Sequence, residues 1–144
     1  MKMDSKNHDI VVIVPLRNAE RFIAQCVQSI EGQKYKNFTA IYIDDASDDN
    51  SYAVLSNQKH HDSVLIRNSE RKYPLFNTVM ALNRDKYYTD DTIVVIVDGD
   101  DRLEHDYVFD IINDYYNNND CLLTYGNMIS TMPDKFYSMC HPVS

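Results

Sequence analysis

Residues 93–101 read IVVIVDGDD, an unbroken apolar run that empties into three aspartates and a glycine. Five consecutive β-branched residues read as a strand buried on both faces, as in a parallel sheet. Residues leaving such a strand stand at the sheet's carboxyl edge, where open α/β sheets bind ligands. Residues 40–45 repeat the arrangement, AIYI leading straight into Asp44 and Asp45. Carboxylates gathered along one edge repel one another and lose hydration, so cations or hydrogen-bond donors must compensate them. A divalent metal with a polyoxygenated ligand is one such arrangement.

Outward from these two runs the chain alternates between strand and helix patterns. Residues 10–14 read as a first strand, and Asn18 as the cap of a helix whose apolar set is Phe22, Ile23, Cys26, Val27 and Ile30. Gly32 ends that helix, and residues 38–43 form a second strand. Ser47 or Asp49 is expected to cap a short helix holding Tyr52, Ala53 and Leu55, before a weaker strand at 64–66. Pro74 suits the first turn of a helix carrying Leu75, Phe76, Val79, Met80 and Leu82. After the fourth strand, at 93–97, Tyr107, Val108, Ile111, Ile112 and Tyr115 mark a last helix, and 121–125 a fifth strand. This order predicts an α/β fold: a mostly parallel, doubly wound, Rossmann-like sheet with helices on both faces. The whole of 1–144 reads as one domain, with a polar segment at 1–9 and an irregular tail at 128–144.

Composition narrows the function. A domain of this length buries roughly 70% of its unfolded surface, enough for a core without staples. The formal charge of -8 argues against nucleic acid, which demands clustered Lys and Arg. Gly32, Gly99 and Gly126 are the three glycines, and none lies near the turn after the first strand, so the glycine fingerprint of dinucleotide binding is missing. Cys26, Cys121 and Cys140 are odd in number and read as reduced thiols, which predicts a cytoplasmic setting. No apolar stretch approaches the ~18 residues of a membrane span.

Aspartate is common enough here that an Asp-x-Asp triplet arises by chance, so the position of Asp98-Gly99-Asp100 carries the information. Gly99 lets backbone approach a ligand, and in a crevice shared by the two acidic exits one carboxylate could accept hydrogen bonds from a hydroxyl or base while another binds a metal. A solvated turn with Asp100 or Asp101 capping the next helix fits the same letters. Asp44, Asp45, Asp48 and Asp49 pose the same choice, since Asp and Ser are ordinary turn residues and most of these carboxylates could face water. At the exit of the first strand, Pro15-Leu16-Arg17-Asn18 is expected to stop the ladder and turn toward a ligand. Arg71 and Lys72 lie near the same edge and could meet phosphate oxygens, though a lone basic pair is more often solvated. The five histidines show no metal-ligand spacing, and no Ser-His-Asp arrangement is suggested.

Taken together, VVIVPLRNAERFIAQCVQSI, FTAIYIDDASDDNS and VVIVDGDDRL resemble the amino-terminal half of family 2 glycosyltransferases of the GT-A fold. That family shows Pro-x-Tyr-Asn, then Asp-Asp-Gly-Ser, then Asp-Ala-Asp-Asp, and the likeness covers about residues 9–127. The resemblance implies a nucleotide-sugar-binding half, with the UDP-linked donor lying along Pro15, Leu16, Arg17 and Asn18. Asp45 would accept from uracil, and Arg71 would lie near phosphate. Asn77 matches the asparagine of an Arg-Asn pair. Asp98 and Asp100, flanking Gly99, would hold Mn2+ or Mg2+, with Asp100 the preferred ligand. Transfer of a hexosyl group to a glycan, lipid or protein acceptor is implied. The catalytic base and acceptor site are expected beyond this stretch, so no catalytic residue is assigned in it. Arg17 stands where the family keeps an aromatic residue and Ala46 where it keeps glycine, and both bear on the choice of nucleotide.

Two other classes share parts of the pattern. A noncatalytic nucleotide-binding or interaction module would keep the fold, lack metal dependence and expose an apolar patch. A receiver-like signalling domain would carry its acidic pair after the first strand, where this chain has Pro15, Leu16 and Arg17.

Overall fold

The computed structural model describes residues 5–126, so the tail expected at 128–144 lies outside the described residues. Strand β1 (Ile10–Leu16), helix α1 (Ile23–Glu31), β2 (Phe38–Asp44), α2 (Ser51–Ser56), β3 (Ser63–Arg67), α3 (Pro74–Leu82), β4 (Ile93–Ile96) and α4 (Val108–Asn118) alternate, with a 3-10 turn at Asp85–Tyr87. All strand pairs are parallel, in the order β3-β2-β1-β4. The chain winds outward from β1 through β2 to β3, then returns to place β4 on the other side of β1. The order therefore reverses between β1 and β4, and a crevice forms at such a switch point.

Strand periodicity divides the core between two faces. Val12, Val14, Ala40 and Tyr42 pack with Ile23, Cys26, Val27, Ile30, Leu55 and Phe109 on one side. Val11, Ile13, Ile41 and Ile43 pack with Ala81 and Met80 on the other. Each fully buried Val, Ile, Leu or Phe among them contributes about 1.5–3 kcal/mol. The sheet is thus doubly wound, as the alternation predicts, and β1 is buried along its whole length.

Several local expectations fail for identifiable reasons. Pro15 does not stop the ladder: it pairs with Ile43, and Leu16 pairs with Asp44. The carbonyl of Pro15 accepts from Gly99 N–H at 3.1 Å, on the β4 side and past the end of that strand, so its missing N–H breaks no bond there. The run at 93–97 is not buried on both faces: Val94 and Ile96 lie outside the cluster packed around Val11, Ile13, Ile41 and Ile43 and are exposed. The fifth strand expected at 121–125 is not formed: Leu122 is fully exposed and Leu123 nearly so, with no strand beside them among the described residues. Asn18 does not cap α1, which starts five residues later behind Phe22. Asn18 instead takes φ 51° and its Oδ1 accepts from Asp48 N–H at 2.9 Å. Asp49, not Ser47, accepts the first N–H of α2, from Ser51 at 2.9 Å.

Candidate functional site

The three strand exits meet in one cleft at the switch point. Its volume is about 260 Å³, and its lining includes the residues assigned to the donor from the sequence, Pro15, Leu16, Arg17, Asn18, Asp45, Arg71, Asp98, Gly99 and Asp100, but not Lys72. Ala19, Phe22, Pro74 and Asn77 complete it. A larger hollow of about 460 Å³ on α3, lined by Phe76, Val79, Met80, Asn83 and Arg84, gathers no acids. The smaller cleft is therefore where the chemistry concentrates.

Gly99 serves packing as well as access. A Cβ there would fall 2.4 Å from Leu16 Cβ, so only glycine lets the β4 exit lie against the β1 exit. This contact brings Asp98 and Asp100 beside the first strand. Asp98, Asp100 and Asp101 each offer a carboxylate oxygen within 4.8 Å of the others. Among the described residues, no hydrogen bond or ion pair ends on these three carboxylates. All three side chains are exposed to solvent, yet desolvation at the floor of the cleft, then the Asp100 charge, holds Asp98 above the usual carboxylate range. Desolvation, then Asp100 and Asp98, does the same for Asp101. Hard oxygen donors so close and without counter-charge fit Mg2+ or Mn2+, and Asp101 joins the pair expected from the sequence. Beneath them the Cys26 thiol donates to the Asp98 carbonyl at 3.7 Å. Burial, then the Asp101, Asp100 and Asp98 charges, pushes that thiol up to about 12.

Asp45 is built differently. It is buried, and its Oδ1 accepts from Asn68 Nδ2 at 2.8 Å and Lys72 N–H at 2.7 Å, while Oδ2 accepts from Tyr73 N–H at 2.8 Å. Burial pushes the carboxyl up, but Lys72, Asn68, Asn77 and Tyr73 outweigh it and hold Asp45 below the usual range. Each carboxylate oxygen takes about two donors, so Oδ2 keeps one acceptor position. Asn77 is fully buried at the cleft, and its Nδ2 has no hydrogen-bond partner among the described residues. It lies near enough to Asp45 to favour the charged form. Asn68 was not legible as a site residue, since only the pairing of β3 with β2 brings it to Asp45.

The basic residues take unexpected roles. Arg71 lines the cleft with its guanidinium 4.3 Å from the Tyr73 ring centroid. The Lys72 ammonium pairs with Glu70 at the surface, so its backbone N–H, not its charge, serves the site. Arg17 Nη1 donates to the carbonyls of Asp45 and Ala46, and Nη2 to Asp48. Of the four acids leaving β2 that could face water, Asp48 alone is largely exposed. Asp44 and Asp45 are buried, and Asp49 is held by Ser51 and Glu20 N–H.

A parallel sheet with an acid-lined crevice at its switch point defines an α/β ligand-binding domain. Residues 11–140 match the family model described as Glycosyl transferase family 2, and the chain belongs to that family. It is 32% identical over 108 residues to the glycosyltransferase GlyA of Streptococcus pneumoniae, covering 75% of this chain and 15% of that protein. The mannosyltransferase PcManGT of Pyrobaculum calidifontis, solved with GDP-Man and Mn2+, superposes with TM-score 0.60 at 25% identity, over 70% of this chain and 30% of the other. TarS of S. aureus, residues 1–349 with UDP-GlcNAc, shares the fold at TM-score 0.66 and 19% identity, over 76% of this chain and 31% of the other. The chain thus spans less than a third of each of these proteins. No helix among the described residues is long and apolar enough to cross a membrane.

Proposed function

We propose that the cleft binds the nucleoside diphosphate of a nucleotide-sugar, UDP-linked in the leading reading, as the donor half of a hexosyl transfer to a glycan, lipid or protein acceptor. The observation that carries this is the convergence of three strand exits on one crevice, one of them presenting three uncompensated carboxylates. Family membership and the GDP-Man and UDP-GlcNAc complexes of similar folds support it. Asp98 and Asp100, with Asp101 beside them, would hold Mn2+ or Mg2+. When bound, such a cation neutralises the departing diphosphate. Asp45 offers its open Oδ2 position to a base edge, and Arg71 lies in the lining where it can meet phosphate. A cytoplasmic setting belongs to the same reading.

Calorimetry with UDP and with GDP, each with and without Mn2+, tests it. Binding that requires the metal and vanishes in Asp100→Ala supports the assignment. Absence of binding by either nucleotide at millimolar concentration overturns it, and tighter binding of GDP than UDP overturns the choice of base.

A further inference from the structure

We infer that Arg17 is a positioning residue, a latch that holds the loop leaving β2 in a conformation its own sequence resists and thereby sets Asp45 for the nucleotide. The inference rests on the reading of the cleft given above. Ala46 sits at φ 53°, a left-handed conformation in which a Cβ crowds the carbonyl that follows. Nothing in Ala46 itself favours that state. Within the loop only Ser47 N–H, donating to the Asp44 carboxylate at 3.4 Å, holds the peptide after Ala46, whereas the Asp45 and Ala46 carbonyls on both sides of it accept from Arg17 Nη1. Arg17 Nη2 closes the fork on Asp48 at 2.7 Å.

Around this fork the two loops are laced together. Asn18 N–H donates to Ser47 Oγ at 3.0 Å, Asp48 N–H to Asn18 Oδ1 at 2.9 Å, and Ala19 N–H to Ser51 Oγ at 2.7 Å. Asn18 is itself at positive φ, so both sides of the seam carry backbone strain that the cross-bonds offset. A forked, planar guanidinium can meet two carbonyls and a carboxylate at once, whereas an ammonium cannot hold that geometry. The Arg17 charge is also already matched by Asp48, which argues for action through the loop over direct contact with phosphate.

The test is a cycle of Arg17→Ala, Ala46→Gly and the double variant, with Arg17→Lys as a charge-preserving control that keeps the fold. UDP affinity in the presence of Mn2+ is measured together with amide hydrogen exchange of residues 46–49 in the ligand-free chain. Arg17→Ala is expected to weaken UDP about tenfold and to speed that local exchange. Arg17→Lys is expected to fall nearly as far, and Ala46→Gly alone to stay within about twofold. In the double variant glycine accepts the left-handed state without the latch and recovers about threefold of the lost affinity. Strictly additive effects overturn the inference, as does Arg17→Lys binding like the unchanged chain, which would make Arg17 a phosphate contact. Unchanged exchange in Arg17→Ala also overturns it. The exchange measurement needs no nucleotide, so a wrong latch and a wrong reading of the cleft give different results.

Discussion

At the exit of β2 the chain itself supplies partners for its acids. Asp45 takes three donors, Asp44 takes Ser47 and Arg67, Asp48 takes Arg17, and Asp49 takes Ser51. At the exit of β4, whose Asp98 and Asp100 share a cleft with Asp45, Asp98, Asp100 and Asp101 crowd together with none. The residue type is the same and the electrostatic state is opposite. Carboxylates that are satisfied internally organise a loop, whereas carboxylates left mutually repelling add free energy to the fold that a bound cation recovers. The first group is scaffold with one acceptor position to spare; the second has the character of a site.

The largest expected effect separates the two groups by sign. Asp45→Ala leaves Lys72 N–H, Tyr73 N–H and Asn68 without their acceptor and should lower folding stability by about 3 kcal/mol in denaturant titration. Asp100→Asn removes a repulsive charge that holds nothing, and in EDTA its stability should match the unchanged chain within about 0.5 kcal/mol or exceed it. Equal losses in the two variants would dissolve the contrast. Next in size, Mn2+ with UDP at a hundred times Kd should stabilise the unchanged chain by about 2.7 kcal/mol, and Asp100→Asn should abolish that gain in thermal melts.

Acid should divide the groups in sequence. Asp98 and Asp101 are held above their ordinary values, so their ionised forms destabilise the fold at neutral pH and the penalty is relieved as pH falls through the raised values. Protons then compete for Asp98 and Asp101, and the Mn2+ effect on melting should fade as pH falls through their raised values. Asp45 is held below its ordinary value, so its contribution is fully present above pH about 4 and is lost only as pH falls through the depressed value. Melts with EDTA and with Mn2+ across this range check the order; loss of Asp45-dependent stability before the metal effect would reverse it. A small gain, about 0.5–1 kcal/mol, is expected from Ala46→Gly by relief of the left-handed alanine.

The sequence disclosed what depends on periodicity and position. Apolar runs emptying into Asp44-Asp45 and Asp98-Gly99-Asp100 identified strands, their common edge and the residues that line the cleft. It did not disclose what depends on a partner far along the chain. Asn18 has the composition of a helix cap, but the N–H of Asp48 claims its side chain. Leu122 and Leu123 have the composition of a strand, yet nothing beside them completes a ladder among the described residues. Pro15 reads as a terminator, and only the early end of β4 lets the ladder run past it. Asn68 and the backbone of Lys72 reach Asp45 through the pairing of β3 with β2, a neighbour relation no local pattern encodes.

The Cys26 thiol, buried under the β4 acids and pushed up to about 12, gives the molecule a chemical clock. A thiol that stays protonated and covered does not react with iodoacetamide, because the thiolate is the nucleophile. Alkylation of Cys26, followed peptide by peptide, therefore counts the moments when α1 lifts from the sheet. Half-covered Cys121 supplies the fast reference. Occupancy of the crevice above should slow that clock.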